Sequence, residues 1–181
     1  MWIVLGVAAL VLLWGVFAFN RLVRLRMQVR AAWAQIDVQL RRRHDLIPNL
    51  VESVKSYMAH ERSVLDAVVA ARGQAQSAGD DVAVRAAAEG RLGGALSRMM
   101  SLAEAYPQLK ASDNVQLLQE DLASSENRIA FARQHFNDCV MSYNTAIGSL
   151  PDMLFAGRLG FAPQAMFETD EASRAPVAVR L

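Results

Sequence analysis

The 181-residue sequence contains one cysteine, three histidines, five prolines and ten glycines. A single cysteine excludes an intramolecular disulfide framework and any cysteine-rich zinc or iron–sulfur centre. Three scattered histidines, His44, His60 and His135, leave little for metal chemistry. So few glycines and prolines argue against a loop-rich all-β fold. An excess of one charge is missing too: 19 Lys and Arg stand against 18 Asp and Glu. No bulk basic field therefore points to nucleic acid, and none is expected as a partner.

What the chain does have is apolar surface, 53% of residues against an ordinary ~45–50%. The excess is local. Met1 to Phe19 (MWIVLGVAALVLLWGVFAF) carries no charged side chain. As a helix this run spans about 28 Å at 1.5 Å per residue, close to the ~30 Å hydrocarbon core of a bilayer. Trp2 at one end and Arg21, Arg24 and Arg26 past the other have the character of interface anchors. The run is therefore expected to be a transmembrane anchor. A cleaved secretory signal is the alternative, with Val16-Phe17-Ala18 as its cleavage site. Against it, no Lys or Arg precedes the run, which also exceeds the ~7–15 residues of a signal core.

Residues 20–43 hold seven arginines (Arg21, Arg24, Arg26, Arg30, Arg41, Arg42, Arg43) and one acid, Asp37. By the positive-inside rule this flank stays in the cytoplasm. The expected topology is single-pass in the inner membrane, with the N-terminus out and the helical part cytoplasmic.

Beyond the anchor, apolar residues recur at intervals of three and four: Leu22, Leu25, Val29, Trp33, Ile36, Leu40, Ile47, Leu50, Val51, Val54, Met58, Leu65 and Val68. That spacing is a helix seam. Pro48 removes one backbone donor, yet the phase carries across it. The pattern predicts one long helix to about Arg72, kinked at Pro48. A hairpin that starts a new helix at Asp45–Pro48 is the alternative.

Gly73 to Asp81 reads as a turn. A second helix is expected over Val82–Ala105, with Val84, Ala88, Leu92, Leu96, Met99 and Leu102 on one face. Gly90, Gly93 and Gly94 weaken it or allow a neighbouring helix to come close. Tyr106-Pro107 ends it, and Ser112 or Asp113 caps a third helix. That one runs to about Ser149 along Leu118, Leu122, Ser125, Ile129, Ala132, Phe136, Cys139 or Val140, Tyr143 and Ile147. The expected fold is all-α: an N-terminal transmembrane helix followed by an elongated antiparallel bundle of three long helices. The expected organisation is an anchor at 1–20, a bundle domain at 21–150 and a tail at 151–181, part short helix and part extended.

No chemistry-bearing constellation emerges. His60-Glu61 begins like a zinc-protease motif, but Val64 stands where the second histidine is needed. Cys139 sits on a seam with Phe136 and Tyr143, the setting of a small core residue. Gly90, Gly93 and Gly94 lie in a helical pattern without a preceding strand, unlike a nucleotide loop. Arg41-Arg42-Arg43-His44 reads as a solvated face or as partners for acids on a neighbouring helix. Gln119, Glu120, Glu126, Asn127, Arg128, Arg133 and Asn137 read as polar groups that fix helix register. No catalytic, cofactor-binding or metal-ligating residue is nominated, and no cofactor is expected.

Two blocks carry a resemblance. Trp33-Ala34-Gln35-Ile36-Asp37-Val38-Gln39-Leu40, then Arg42-Arg43-His44-Asp45-Leu46-Ile47-Pro48-Asn49-Leu50-Val51-Glu52, with Tyr57, His60-Glu61 and Ala71-Arg72, resemble the LemA family. So do Leu117, Gln119, Glu120, Leu122, Glu126-Asn127-Arg128-Ile129-Ala130, Ala132-Arg133, Asn137 and Tyr143-Asn144, followed by Pro151, Gly160-Phe161 and Phe167-Glu168. The resemblance covers about residues 19–169 and is weak over 73–115. Ser56 stands where many members have glycine. The resemblance implies a bacterial envelope protein with an N-terminal anchor, an all-helical bundle and no established enzymatic activity. It also implies an accessory or scaffold role, with a membrane protease or another envelope complex as partner. The rival reading is a membrane-shaping protein whose basic first helix binds anionic lipid. Small residues in the anchor (Gly6, Ala9, Gly15, Ala18) and broad apolar faces on the first helix lead us to expect a homo-oligomer.

Overall fold

The computed structural model describes residues 1–167, apart from the side chain of Lys110. The acidic group Glu168, Asp170 and Glu171 and the run Ala175–Leu181 lie outside the described residues. Every long element is a helix, and no strand occurs among the described residues. The helices are α1 (Trp2–Lys55), α2 (Arg62–Gln76), α3 (Val82–Ala103), α4 (Pro107–Lys110), α5 (Asp113–Gly148) and α6 (Met153–Ala156). A 3-10 turn, Gly157–Leu159, follows α6. The all-α class and the apolar N-terminal helix agree with the sequence pattern. The chain divides into two compact units, one of Met1–Ile36 with Ala132–Met166, the other of Asp37–Phe131 with Phe167.

α1 runs through Pro48 without reversing, so no hairpin forms there. It ends at Lys55, however, short of the expected Arg72. The chain turns over residues 56–61, where the amides of Tyr57 and Met58 both donate to the Val54 carbonyl and Glu61 N–H donates to Met58. The three-four phase hid this reversal because Val54, Met58, Leu65 and Val68 all bury in one core. The seven-residue step from Met58 to Leu65 coincides with two helical turns. No glycine or proline marks the turn, and Glu61 at the start of α2 makes no side-chain cap bond.

α2 in turn runs past Gly73 to Gln76, so the expected turn over 73–81 narrows to its second half, where Gly79 has φ of 70°. Asp81 then caps α3, its Oδ1 accepting from Val84 N–H at 2.9 Å. The second unit thus holds five helical segments: the end of α1, α2, α3, the short α4 and the first half of α5. Ala88, Leu92, Leu96 and Met99 of α3 and Val115 and Leu122 of α5 join Ile47, Leu50 and Val54 in its core. Val84, expected on the buried face, is exposed. A Cβ added to Gly93 or Gly94 would meet nothing within 4 Å, so these glycines do not serve a close helix contact.

In the first unit Leu22, Val29, Ala32 and Ile36 of α1 are buried, as are Phe136, Val140, Tyr143 and Ile147 of α5. The Trp33 and Phe136 rings stand 5.3 Å apart. After α5 the chain folds back. Gly160 takes φ of 75°, a conformation costly for any residue with a Cβ. That turn lets Phe161 N–H donate to the Ala156 carbonyl and buries the Phe161 ring. The return segment is tied to α5 by Tyr143 Oη donating to Ala162 (3.0 Å) and by Asn144, which exchanges two 2.9 Å hydrogen bonds with the Gln164 backbone. The resemblance residues Tyr143-Asn144 and Gly160-Phe161 therefore act as one docking device.

Candidate functional site

Between Leu40 and Ile47 the buried seam of α1 skips a turn. The structure fills it with Arg43 and His44, both buried. Opposite them on α3 lies Glu89, 1% exposed, at seam spacing from Leu92 and Leu96. Arg43 Nη2 donates to Glu89 Oε2, and its Nη1 donates to Glu126 of α5. His44 Nε2 stands 3.0 Å from Glu89 Oε1. At the layer's edge Arg85 Nη2 pairs with Asp37 at 2.7 Å, and Arg41 also reaches Asp37. Burial alone would push the Glu89 carboxyl up. The His44 contact and the Arg43 charge outweigh it and hold the carboxyl below its ordinary value.

This layer absorbs the basic run. Arg43 and His44 point inward. Arg41 and Arg42 stay exposed, and Arg42 lies 3.9 Å from Asp121. Pairing with acids on neighbouring helices is thus the part of the sequence reading that applies, and among the polar residues of the third helix Glu126 carries it. Glu89 escaped the sequence reading altogether. The signal was present: an acid at seam spacing on one helix and a basic pair at seam spacing on another.

A second feature uses Pro48. Its missing N–H leaves the carbonyl of His44, four residues back, without a helical donor. Arg72 Nε, from α2, donates to that carbonyl at 2.7 Å. Around this bond α1 and α2 form a groove of about 700 Å³, floored by Ile47, Val51, Met58 and Leu65 and rimmed by Glu52, Lys55, Arg62 and Asp66. The Asp-Leu-Ile-Pro-Asn block thus supplies one wall of the groove and Arg72 closes the other. Charges of both signs above an apolar floor suit an amphipathic peptide or helix more than a small polar molecule.

The remaining candidates do not converge. His60 is exposed in the turn before α2. Cys139, in the other unit, stands 3.8 Å from His135 Nε2, and burial together with Asp138 pushes its thiol up, away from the reactive thiolate. Among the described residues no three His, Cys, Asp or Glu side chains come together as a metal site. At its N-terminal end α1 is long and apolar enough to cross a membrane.

Comparison with known proteins bears on the same residues. The chain is 26% identical to magnetosome protein MamQ of Magnetospirillum gryphiswaldense, over 88% of this chain and 68% of that protein. It is 25% identical, over the same shares, to magnetosome protein MamQ 2 of Paramagnetospirillum magneticum. The model of the LemA family matches residues 32–181. This stretch contains the Pro48 block, Arg72, the Arg43–Glu89–Glu126 ion-pair layer and the Tyr143–Phe161 docking device, and the chain belongs to the LemA family.

Proposed function

We propose that this protein is a non-enzymatic, membrane-anchored helical scaffold or adaptor of the bacterial envelope, acting through protein–protein contacts. The observation that carries the reading is the groove between α1 and α2, whose walls are the Pro48 block and the Arg72 end of α2. Its α1 wall is braced to α3 and α5 by the Arg43 ion pairs, and α2 is tied to α1 by the Arg72–His44 bond, so the groove is presented on a rigid frame. Those ion pairs join helix to helix, as a structural network does, and among the described residues no nucleophile is paired with a base beside the groove. Within the basic run Arg43 and His44 are buried against Glu89 and Arg41 and Arg42 face acids at the surface, which favours the scaffold over anionic-lipid binding by this run.

The anchor is residues 1–20, the protein sits in the inner membrane, and the helical part is cytoplasmic. Copies associate with one another. Val38 (59% exposed) lies five residues before Arg43, and Phe131 (73% exposed) five after Glu126, its partner. Each is an exposed apolar side chain that contact with a second copy would cover. A membrane protease or another envelope complex is the partner for the groove.

A photo-crosslinking residue at Val69, on the groove, and another at Arg128, on the exposed side of α5, test the reading in native membranes. Val69 is expected to capture a discrete protein, identified by mass spectrometry, that Arg128 does not. The same faint background from both positions would remove the groove as a docking site.

A further inference from the structure

The chain beyond α5 returns to the apolar end of α1. Phe155 packs on Trp14, ring centres 5.7 Å apart, and Phe161 packs on Phe19 at the same distance. Asp152, buried, pairs with Arg21 at 3.0 Å, and the Arg26 guanidinium lies 4.8 Å from the Phe161 ring centre. These contacts set the depth of α6 along α1. Arg21 is the first charged side chain after the apolar run, and Trp14 lies about 10 Å further into it at 1.5 Å per residue. The segment around Phe155 therefore sits beside the last two turns of the membrane span.

Its outward surface is apolar. Leu150 (70% exposed), Met153, Leu154 (59%) and Leu159 are exposed, and Phe155 stays 43% exposed beside Trp14. Only two charged residues lie within residues 150–159. Asp152 is covered and neutralised by Arg21. Arg158 is long enough to extend its head into water while its stem lies along apolar surface. In water such a cluster would be an exposed apolar patch next to another, the bare span residues Leu10, Leu13 and Phe17. The Trp14–Phe155 contact joins the segment to the span, and interfacial helices bury their apolar face to a depth of about 5–10 Å.

We infer that residues 150–159 form a second membrane-contacting element, an apolar wedge seated in the headgroup–acyl boundary of the same leaflet that holds the Arg21 end of the span. Its ligand is the lipid surface itself, engaged by apolar burial rather than by anionic headgroups. The wedge has a structural consequence. Held by Arg21–Asp152 and the two aromatic pairs, it gives the protein two points of contact with one leaflet, which restrains the rotation and tilt of α1 where it leaves the bilayer. The inference rests on the reading of residues 1–20 as a membrane span.

Site-directed spin labelling of the full-length protein in phosphatidylcholine vesicles tests it. In a Cys139→Ser background, single cysteines replace Leu154 on the wedge, Leu13 on the span and Gln134, exposed on α5. Each nitroxide is probed with oxygen, which concentrates in lipid, and with a water-soluble nickel chelate. The label at 154 is expected to be severalfold more accessible to oxygen relative to nickel than the label at 134, and to approach the label at 13. A lipid-exposed label at 13 with a water-exposed label at 154 overturns the wedge and leaves the span intact. A water-exposed label at 13 overturns both. A label at 154 reached by neither reagent overturns the wedge in favour of a protein-covered surface, such as a second copy.

Discussion

Arg72 donates a 2.7 Å hydrogen bond from Nε to the carbonyl of His44, the carbonyl that Pro48 leaves without its helical donor. Two residues 24 positions apart in sequence, Pro48 and Arg72, are thereby complementary: one removes a donor and the other restores it from the neighbouring helix. This bond ties α2 to α1 at the groove and reconciles an interior proline with an unbroken helix.

The pair predicts a non-additive mutant cycle. Arg72→Ala leaves the His44 carbonyl unsatisfied and is expected to destabilise by about 1–3 kcal/mol. In a Pro48→Ala background the restored backbone N–H serves that carbonyl, so the same Arg72→Ala change should cost clearly less. Chemical denaturation of the four proteins measures the coupling. Equal costs in both backgrounds would mean that the bond is incidental.

The buried layer predicts a large penalty and an acid limb. Glu89→Gln removes the charge that faces buried Arg43, and breaking one side of such a pair costs about 3–5 kcal/mol. Because the folded carboxyl is held below its ordinary value, the stability it contributes is complete above the unfolded value of about 4.3. It is lost as pH falls from there through the lower folded value. Denaturation midpoints measured from neutral pH downward should show this limb in the natural protein and a shallower one in Glu89→Gln. Identical limbs would assign the acid sensitivity elsewhere.

Core truncation on α5 tests the seam. Ile129 is fully buried and Leu122 nearly so. Ile129→Ala and Leu122→Ala are each expected to cost about 2–5 kcal/mol. Thermal melts should fall accordingly, whereas Phe131→Ala, at an exposed position, should leave the monomer's melt almost unchanged.

Topology follows from charge. With seven arginines and one acid in residues 20–43, a fluorescent protein fused after Leu181 is expected to be active in the cytoplasm. A fused periplasmic phosphatase is expected to be inactive there. The reverse pair of results would turn the protein over in the membrane.

By itself the sequence determined what local spacing can record. The charge-free run of residues 1–19 marked a membrane-length helix. The three-four seams of α1 and α5 named most of the core, from Leu22 and Ile36 to Ile129 and Tyr143. Tyr106-Pro107 and Ser112 marked the breaks between α3 and α5, because stop and start signals are local. The resemblance blocks marked residues later seen to work together, without saying how. Tertiary structure alone decided the rest. The reversal at residues 56–61 was invisible, since periodicity records which side of a helix is buried but not whether the chain has turned between two buried residues. Glu89 drew no reading from the sequence, because a buried charge makes sense only once its partners, Arg43 and His44 on another helix, are in place. The Arg72–His44 bond and the Arg21–Asp152 pair join residues 28 and 131 positions apart, and the groove gathers residues of two helices. No local rule couples positions so distant. Packing brings them together, and only there do their charges and hydrogen-bonding groups find each other.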